Sequence, residues 1–139
     1  MKNENNLERF LDAQEKDFFN ALNEIKKGKK LTHWIWYIFP QLAGLGKSEY
    51  AVFYGIKNVD EAEEYLNHPI LGKRLIEICS ELLSLEHKTA NQIFGSPDDL
   101  KVRSCMTLFS SLKDTDPVFS NVLDKYYQGI KDPFTMKLI

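Results

Sequence analysis

Apolar residues recur at spacings of three and four over the first 25 residues of the chain, a pattern typical of one face of an amphipathic helix. The stripe consists of Leu7, Phe10, Leu11, Phe18, Leu22 and Ile25, and the polar residue Gln14 falls on the same face. Just beyond it, Gly28 lies among four lysines, which are Lys26, Lys27, Lys29 and Lys30. Cations suit the negative end of a helix dipole, and glycine adopts the left-handed conformation that often ends helices. We therefore expect the helix to end here.

The next segment, residues 33–39, has the sequence HWIWYIF and is apolar on all sides. Such a run is compatible with a buried helix and with a β-strand, because it has neither a three-to-four nor a two-residue period. We favour a short helix capped by Thr32 and leave the strand open. Pro40 ends the element in either case, because proline lacks the backbone N–H that a helix or a strand needs.

Further helices are predicted wherever a residue typical of helix starts precedes an apolar stripe. Those residues are Ser48, Asp60, Pro69, Thr89, Ser96, Asp116 and Asp132. The helices expected after Thr89 and Asp132 are single short turns. No other segment alternates in the way a strand would. The sequence thus predicts an all-α fold, a single compact irregular domain over residues 1–139 with about seven or eight helices.

Composition excludes several classes of protein. Hydrophobic residues make up 43% and charged residues 27% of the 139, which is ordinary for one globular domain. The formal net charge of −2 provides no overall positive field and argues against a nucleic-acid partner. Cys79 and Cys105 lie in apolar helical stripes, where cysteine is usually a small buried hydrophobe. No apolar stretch is long enough for a membrane span, and residues 1–6 are polar rather than signal-like, so we expect a cytoplasmic protein.

The loop at residues 41–48 resembles the end of a phosphate-binding P-loop, because it contains Gly46, Lys47 and Ser48. The full motif requires a glycine at the position that Gln41 occupies, and it requires a preceding strand. We therefore reject a P-loop. Two interpretations stay open: a simple capped turn, or an anion site in which Lys47 lies beside the free N–H groups of the helix that begins at Ser48.

The aromatic segment also permits two interpretations. Trp34 and Trp36 are core residues in one, and in the other an indole stacks on a planar ligand. His33 is a candidate acid or base, because imidazole titrates near neutral pH. Ser104 and Thr107, three residues apart on an apolar helix face, either bond to the preceding helical turn or line a polar cleft.

Metal and cofactor chemistry find no support in the sequence. No two histidines have the spacing of metal ligands, and there is no HExxH motif. A GxSxG nucleophile elbow is also absent. We predict no metal site and no cofactor, and the sequence leaves open whether the protein is an enzyme.

Four blocks of the chain, in order, resemble one family of bacterial proteins. They lie at residues 33–48 (HWIWYIFPQ and GLGKS), 68–75 (HPILGKRL), 93–101 (IFGSPDDLK) and 106–109 (MTLF). The family is catalogued as domain of unknown function 1810, and the resemblance extends from Leu7 to Leu138. It implies a compact, mostly helical fold of cytoplasmic bacterial proteins, and it implies no established activity. Some relatives carry the name of calpastatin, an extended inhibitor unlike the capped helices and core predicted here.

The blocks that resemble the family contain polar residues that packing alone does not require. They are His33, Gln41, Lys47, Arg74, Lys101 and Ser104. If these residues meet beside Trp34 or Trp36, they form a basic cleft for a nucleotide-like or other phosphorylated small molecule. In that hypothesis the cations and the Ser48 helix start hold the anion, an indole stacks, and His33 is the acid or base. The alternative is a non-catalytic module whose aromatic segment forms a partner or homo-oligomer interface.

Overall fold

The computed structural model describes residues 6–139, and nine helices lie within that range. They are α1 (Glu8–Lys26), α2 (Ile35–Ile38), α3 (Glu49–Tyr54), α4 (Val59–Asn67), α5 (Leu71–Ser84), α6 (Ala90–Phe94), α7 (Asp98–Ser110), α8 (Val118–Tyr127) and α9 (Pro133–Leu138). The all-α prediction is confirmed, and the aromatic segment forms a short helix over four of its residues, Ile35–Ile38. The count exceeds the expected seven or eight because the two predicted turns, α6 and α9, are short helices. Residues 1–5, part of the stretch that we expected not to be signal-like, lie outside the described range.

The longest apolar stripes meet in one continuous core. Helix α5 packs against α1, α4 and α8, and α7 packs against α6, α8 and α9. Leu75 and Ile78 of α5 are fully buried, as are Cys105 and Phe109 of α7. Both cysteines are free thiols in this core, and burial raises the pKa of Cys105 well above that of an ordinary thiol. They are therefore packing groups, as the sequence indicated.

Three predicted helix starts are confirmed by hydrogen bonds. The Ser48 hydroxyl accepts from the Ala51 N–H at 3.1 Å, and the Asp132 carboxylate accepts from the Thr135 N–H at 2.8 Å. Thr89 forms a reciprocal capping box with Gln92. Each side chain satisfies a backbone donor that the first helical turn leaves without an intrahelical partner.

Other predicted starts are wrong. Asp60 lies inside the first turn of α4, and Asn58, whose backbone is extended, caps that helix by accepting from the Glu61 N–H at 3.0 Å. Helix α7 begins after Pro97 without a side-chain cap, so Ser96 does not cap it. Capping requires a side chain at the last non-helical residue, and the sequence pattern located that residue only to within about two positions.

The start predicted at Pro69 is also displaced. Helix α5 begins at Leu71, and the His68 ring nitrogen Nδ1 accepts hydrogen bonds from the N–H groups of Ile70 and Leu71 at 3.1 and 3.3 Å. His68 therefore caps the turn that precedes α5.

Residues 41–56 form a loop that is closed at its base. The Ala43 N–H donates to the Ile56 carbonyl and the Ile56 N–H donates to the Gln41 carbonyl, both at 2.8 Å. Gly46 is required for close packing inside the loop, because a Cβ atom there would lie 2.7 Å from the Ala51 Cβ. A Cβ atom on Gly55 would lie 2.7 Å from the Ala43 Cα. The loop thus folds tightly on itself and presents α3 as one wall.

Arg9 of α1 fixes the far end of this loop. Its Nε donates to the Phe53 carbonyl at 2.8 Å, and one Nη donates to the Gly55 carbonyl at 2.9 Å. The same guanidinium pairs with both carboxylate oxygens of Glu61 at 3.1 and 3.2 Å. Both side chains are at most 8% exposed. The carbonyls at the end of α3 therefore have charged partners, and the loop is held against the body of the protein.

Candidate functional site

A small pocket lies where α2, the 41–56 loop and α7 meet. It is lined by Ile35, Trp36, Phe39, Gln41, Ala51, Tyr54, Gly55 and Lys101. Three of the predicted ligand-binding residues, Trp36, Gln41 and Lys101, thus come together from distant parts of the chain. The cavity has a volume of about 10 Å³, which is room for a single water molecule or oxygen atom.

Trp36 has an unusual hydrogen-bonding state. Its indole Nε1 is inaccessible to solvent, and within residues 6–139 it has no hydrogen-bond acceptor. Its ring packs against Tyr50, with centroids 4.8 Å apart, and the Lys101 ammonium lies 5.2 Å from its centroid. A buried donor without an acceptor costs about 1–3 kcal/mol. Trp36, with its unpaired N–H, and the Lys101 cation therefore line the same pocket.

The charge of Lys101 is only partly compensated. Its ammonium lies 3.4 Å from a carboxylate oxygen of Asp98, and the other oxygen lies 2.9 Å from the Lys30 ammonium. Lys30 in turn lies 5.2 Å from the centroid of the Trp34 ring. Two lysines share one carboxylate, so the group retains one net positive charge on the side of the pocket.

Two tyrosines of α3 complete the aromatic wall. The rings of Tyr50 and Tyr54 have centroids 6.3 Å apart, and Tyr54 also packs against Tyr37 at 5.1 Å. Burial is the main reason that the pKa of Tyr54 is raised, with a further contribution from Tyr50, while Arg9 opposes the rise. Tyr54 is thus a neutral hydroxyl at physiological pH. Sequence reasoning missed both tyrosines as site residues, although their spacing of four on a predicted helix indicated a shared face.

Lys47 and Ser48 lie on the outer side of the same loop. Lys47 borders a shallow depression of about 600 Å³ that Tyr50, Phe53 and Tyr54 also line. Tyr54 therefore borders both the depression and the small pocket. The Ser48 hydroxyl is engaged as the cap of α3, and α3 has only six residues. The cation, rather than the start of this short helix, is the group that the loop offers to an anion.

Trp34 lies in the core and not at the pocket. It is 1% exposed, and its Nε1 donates to the Glu24 carboxylate at 2.9 Å. Glu24 also accepts from the Leu31 and Thr32 N–H groups at 2.7 and 3.1 Å, from the Thr32 hydroxyl at 2.7 Å and from the Asn20 amide at 2.9 Å. The expected capping of α2 by Thr32 is therefore wrong, because its hydroxyl is bound to Glu24 and does not cap that helix.

The electrostatics of Glu24 reflect these donors. Burial alone would raise the pKa of Glu24, but hydrogen bonds from the Thr32 hydroxyl, the Leu31 and Thr32 amides and the Trp34 indole outweigh it and lower the pKa from 4.5 to about 2. Glu24 is thus a buried anion with a structural role. It holds the segment between α1 and α2 and keeps the Trp34 indole in the interior.

The remaining predicted site residues do not line the pocket. The His33 side chain is exposed, and Arg74 lies 5.1 Å from the Phe18 ring centroid, with one Nη 3.5 Å from the Gln14 carboxamide oxygen. The Ser104 hydroxyl is buried and donates to the Leu100 carbonyl at 3.1 Å. Ser104 is thus bonded to the preceding helical turn, which is one of the two interpretations left open from the sequence.

The described residues contain neither a metal-binding cluster nor a membrane-spanning helix. Residues 6–139 contain no group of three or more histidine, cysteine, aspartate or glutamate side chains arranged to hold a metal ion. Over the same range, no helix combines the length and the hydropathy needed to cross a bilayer.

Comparison with known proteins gives one family and one solved structure. The model of the family described as protein of unknown function DUF1810 matches residues 4–139. The chain belongs to the DUF1810 family. It is also similar to the crystal structure of the conserved hypothetical protein Rv1873 from Mycobacterium tuberculosis, with 42% identity, a TM-score of 0.95 and coverage of 97% of this chain and 96% of that chain. No curated protein matches the chain. The DUF1810 fold is therefore shared with a solved structure, and the function has to be argued from the site.

Proposed function

We propose that this DUF1810 protein binds a small anionic ligand with a planar ring, of the nucleotide-like or phosphorylated-metabolite class, at the pocket of Trp36, Gln41 and Lys101. The observation that carries the proposal is the buried, unpartnered N–H of Trp36, whose ring centroid lies 5.2 Å from the Lys101 ammonium. An N–H donor and a cation at one place favour an anionic oxygen, because a charge-assisted hydrogen bond is about twice as strong as a neutral one.

The size of the pocket constrains the mode of binding. A cavity of about 10 Å³ accepts one oxygen atom and no ring. In this proposal a phosphate oxygen enters the cavity, and the ring of the ligand stays outside it against Tyr50, which is 56% exposed. Lys47, on the adjoining depression, supplies a second cation for the remaining charge. Aromatic stacking of this kind contributes about 0.5–1.5 kcal/mol beyond area burial.

The proposal is limited to binding. His33, Arg74 and Ser104, which the sequence suggested as partners, do not line the pocket. Trp34 is enclosed in the core and has no exposed face for stacking. No catalytic step is therefore assigned, and the anion-binding role falls to Lys101 and Lys47.

A thermal-shift screen with nucleotides, ADP-ribose and sugar phosphates tests the proposal. A ligand present at one hundred times its Kd stabilises the folded state by about 2.7 kcal/mol, which is readily measured. Trp36→Phe removes the N–H but keeps an aromatic ring, and Lys101→Gln removes the charge. Lys73→Gln, at an exposed position of α5, is the matched control.

Both site variants are expected to weaken binding of the best ligand about tenfold or more, and the control is expected to leave it within twofold. Near-UV circular dichroism of each variant verifies the fold. A screen without any stabilising compound would contradict the proposal. Equal weakening by Lys101→Gln and Lys73→Gln would contradict it too, because it would indicate only a general effect of charge.

A second candidate function is self-association through α3, and a specific surface favours it. Tyr50, Val52 and Phe53 are each more than half exposed. Lys47 and Glu49 border the same surface, so a second copy related by a twofold axis can place each cation against the partner's anion. Sedimentation velocity of wild type and Phe53→Ser tests this. A dimer that Phe53→Ser dissociates supports the interface, and a wild-type monomer at millimolar concentration excludes it.

A further inference from the structure

A second basic depression lies where the end of α1 meets α6, and one of its lysines, Lys30, also pairs with Asp98 beside the first pocket. It has a volume of about 450 Å³ and is bordered by Lys29, Lys30, Lys88, Asn91, Gln92 and Gly95. None of its lining residues is acidic. From these side chains we infer that the depression is an anion site for a phosphate group, either inorganic phosphate or the phosphate of a monoester.

The three lysines come from two separate segments of the chain. Lys29 and Lys30 follow α1, whereas Lys88 lies just before α6. The Lys30 N–H donates to the Ile93 carbonyl at 2.7 Å, and this bond joins the two walls. In the part of the chain that the structure describes, neither Lys29 nor Lys88 has a carboxylate within 4 Å. Two uncompensated cations therefore border one depression.

The Lys88 side chain lies close to a glycine. Gly28 has a φ of +82°, and a Cβ atom built on it would lie 3.0 Å from the Lys88 Cε and 3.5 Å from its Nζ. The end of the Lys88 side chain thus lies over Gly28, just beyond α1, and the positive φ at that position favours glycine. This packing places the Lys88 ammonium near the end of α1, on the border of the depression.

The Gln92 amide adds a hydrogen-bond donor to the lysines of the depression, whereas the Asn91 amide donates to an Asp99 carboxylate oxygen at 3.4 Å. The side-chain oxygen of Gln92 accepts from the Thr89 N–H at 2.9 Å, so the capping box uses the carbonyl end of this side chain. The NH₂ end remains as a donor at an exposed position. Gly95 has a φ of +74°, and a Cβ atom there would meet nothing within 4 Å, so the depression is open to solvent at that position.

A simpler role for the lysines is to compensate the dipole at the end of α1. Lys26 and Lys27 are placed for that role and do not line the depression. Lys88 belongs to another segment of the chain, and the Gln92 amide donor plays no part in compensating the dipole of α1. The combination of Lys88, Gln92 and Lys29 is what favours a phosphate group, because phosphate accepts several charge-assisted hydrogen bonds at once.

Titration of ¹⁵N-labelled protein with inorganic phosphate and with methyl phosphate, at constant ionic strength set by sodium chloride, tests this inference. The amide signals of Asn91, Gln92 and Gly95 are expected to shift and to saturate with a common Kd. The indole N–H signal of Trp36 reports on the other pocket in the same spectra. A failure at one site is therefore distinguishable from a failure at the other.

Lys88→Gln is expected to raise the Kd about tenfold, and Lys27→Gln, which removes the same charge at a non-lining position, is expected to change it less than twofold. Shifts that grow linearly without saturation would overturn the inference. Equal weakening by both variants would also overturn it, because it would show a general electrostatic effect of the lysine-rich surface. A single-stranded oligonucleotide that binds while both phosphate compounds leave these signals unchanged would indicate an extended polyanion instead and would overturn it too.

Discussion

The replacement Glu24→Gln is expected to destabilise the protein strongly at neutral pH and less in acid. The carboxylate accepts five hydrogen bonds from four residues, which are Asn20, Leu31, Thr32 and Trp34. A carboxamide keeps one accepting oxygen and replaces the other oxygen with an NH₂ group. That NH₂ group is itself a donor, and it faces the N–H and O–H donors that the carboxylate accepted from. The segment that joins α1 to α2 then loses much of its attachment.

The magnitude follows from the pKa of Glu24. A pKa of about 2 in the folded protein, against the ordinary value of 4.5, is a difference of about 2.5 pH units. At about 1.4 kcal/mol for each unit, the folded state stabilises the charged form by about 3 kcal/mol. This contribution is complete above the unfolded pKa of about 4.5. It is lost as the pH falls from there through about 2, because the unfolded chain takes up the proton first.

Urea unfolding at pH 7 and at pH 3, followed by tryptophan fluorescence, measures the effect. At pH 7 Glu24→Gln is expected to lower the free energy of unfolding by about 3 kcal/mol, and at pH 3 the gap between variant and wild type is expected to be visibly smaller. Glu77→Gln, at an exposed position of α5, is the matched control and is expected to change stability by less than about 0.5 kcal/mol. A gap between Glu24→Gln and wild type that is the same at both pH values would refute the reasoning.

Three further substitutions test how the pocket and the core are held. Arg9→Lys loses the two-oxygen pairing with Glu61 and is expected to cost about 2–4 kcal/mol in urea unfolding; a cost below 1 kcal/mol would contradict the assigned role. Gly46→Ala places a methyl group 2.7 Å from the Ala51 Cβ and is expected to lower the free energy of unfolding by about 1–3 kcal/mol. Ala51→Gly in the same chain is expected to restore part of this loss, and absence of any rescue would show that the clash is not the cause. Thr107→Val removes the acceptor of the Asp132 N–H and is expected to cost about 1–3 kcal/mol and to speed hydrogen exchange of that amide; unchanged exchange would argue against the bond.

The helices were predictable because their cause is local. Each apolar stripe specifies a face by its spacing alone, and the caps at Ser48, Thr89 and Asp132 need only neighbouring N–H groups. These three capping residues are therefore recognisable in the sequence, and the structure has them as caps at the same positions. The membership in DUF1810 was recognisable for a similar reason, because blocks such as that at residues 33–48 are contiguous in the chain.

The site was only partly predictable because it depends on contacts between distant residues. Lys101 lies beside the Trp36 ring only because α7 packs near α2, and no local pattern encodes that distance. The sequence alone indicates a surface position for Glu24, because its burial depends on hydrogen-bond donors from residues 31–34. Arg74 and His33 are predicted at the pocket from their residue type alone, whereas helix packing decides which side chains meet there.

Asp98 has a consequence for any pair of anions that bind at the two basic regions. One of its oxygens is paired with Lys30, which borders the depression at α6, and the other lies nearer to Lys101, which borders the pocket at α2. An anion that binds Lys30 and separates it from Asp98 leaves the carboxylate paired with Lys101 alone. Lys101 then has a lower affinity for a second anion at the pocket. Two such anions would therefore bind with negative cooperativity, and thermodynamic reciprocity requires each to lower the affinity for the other by the same factor.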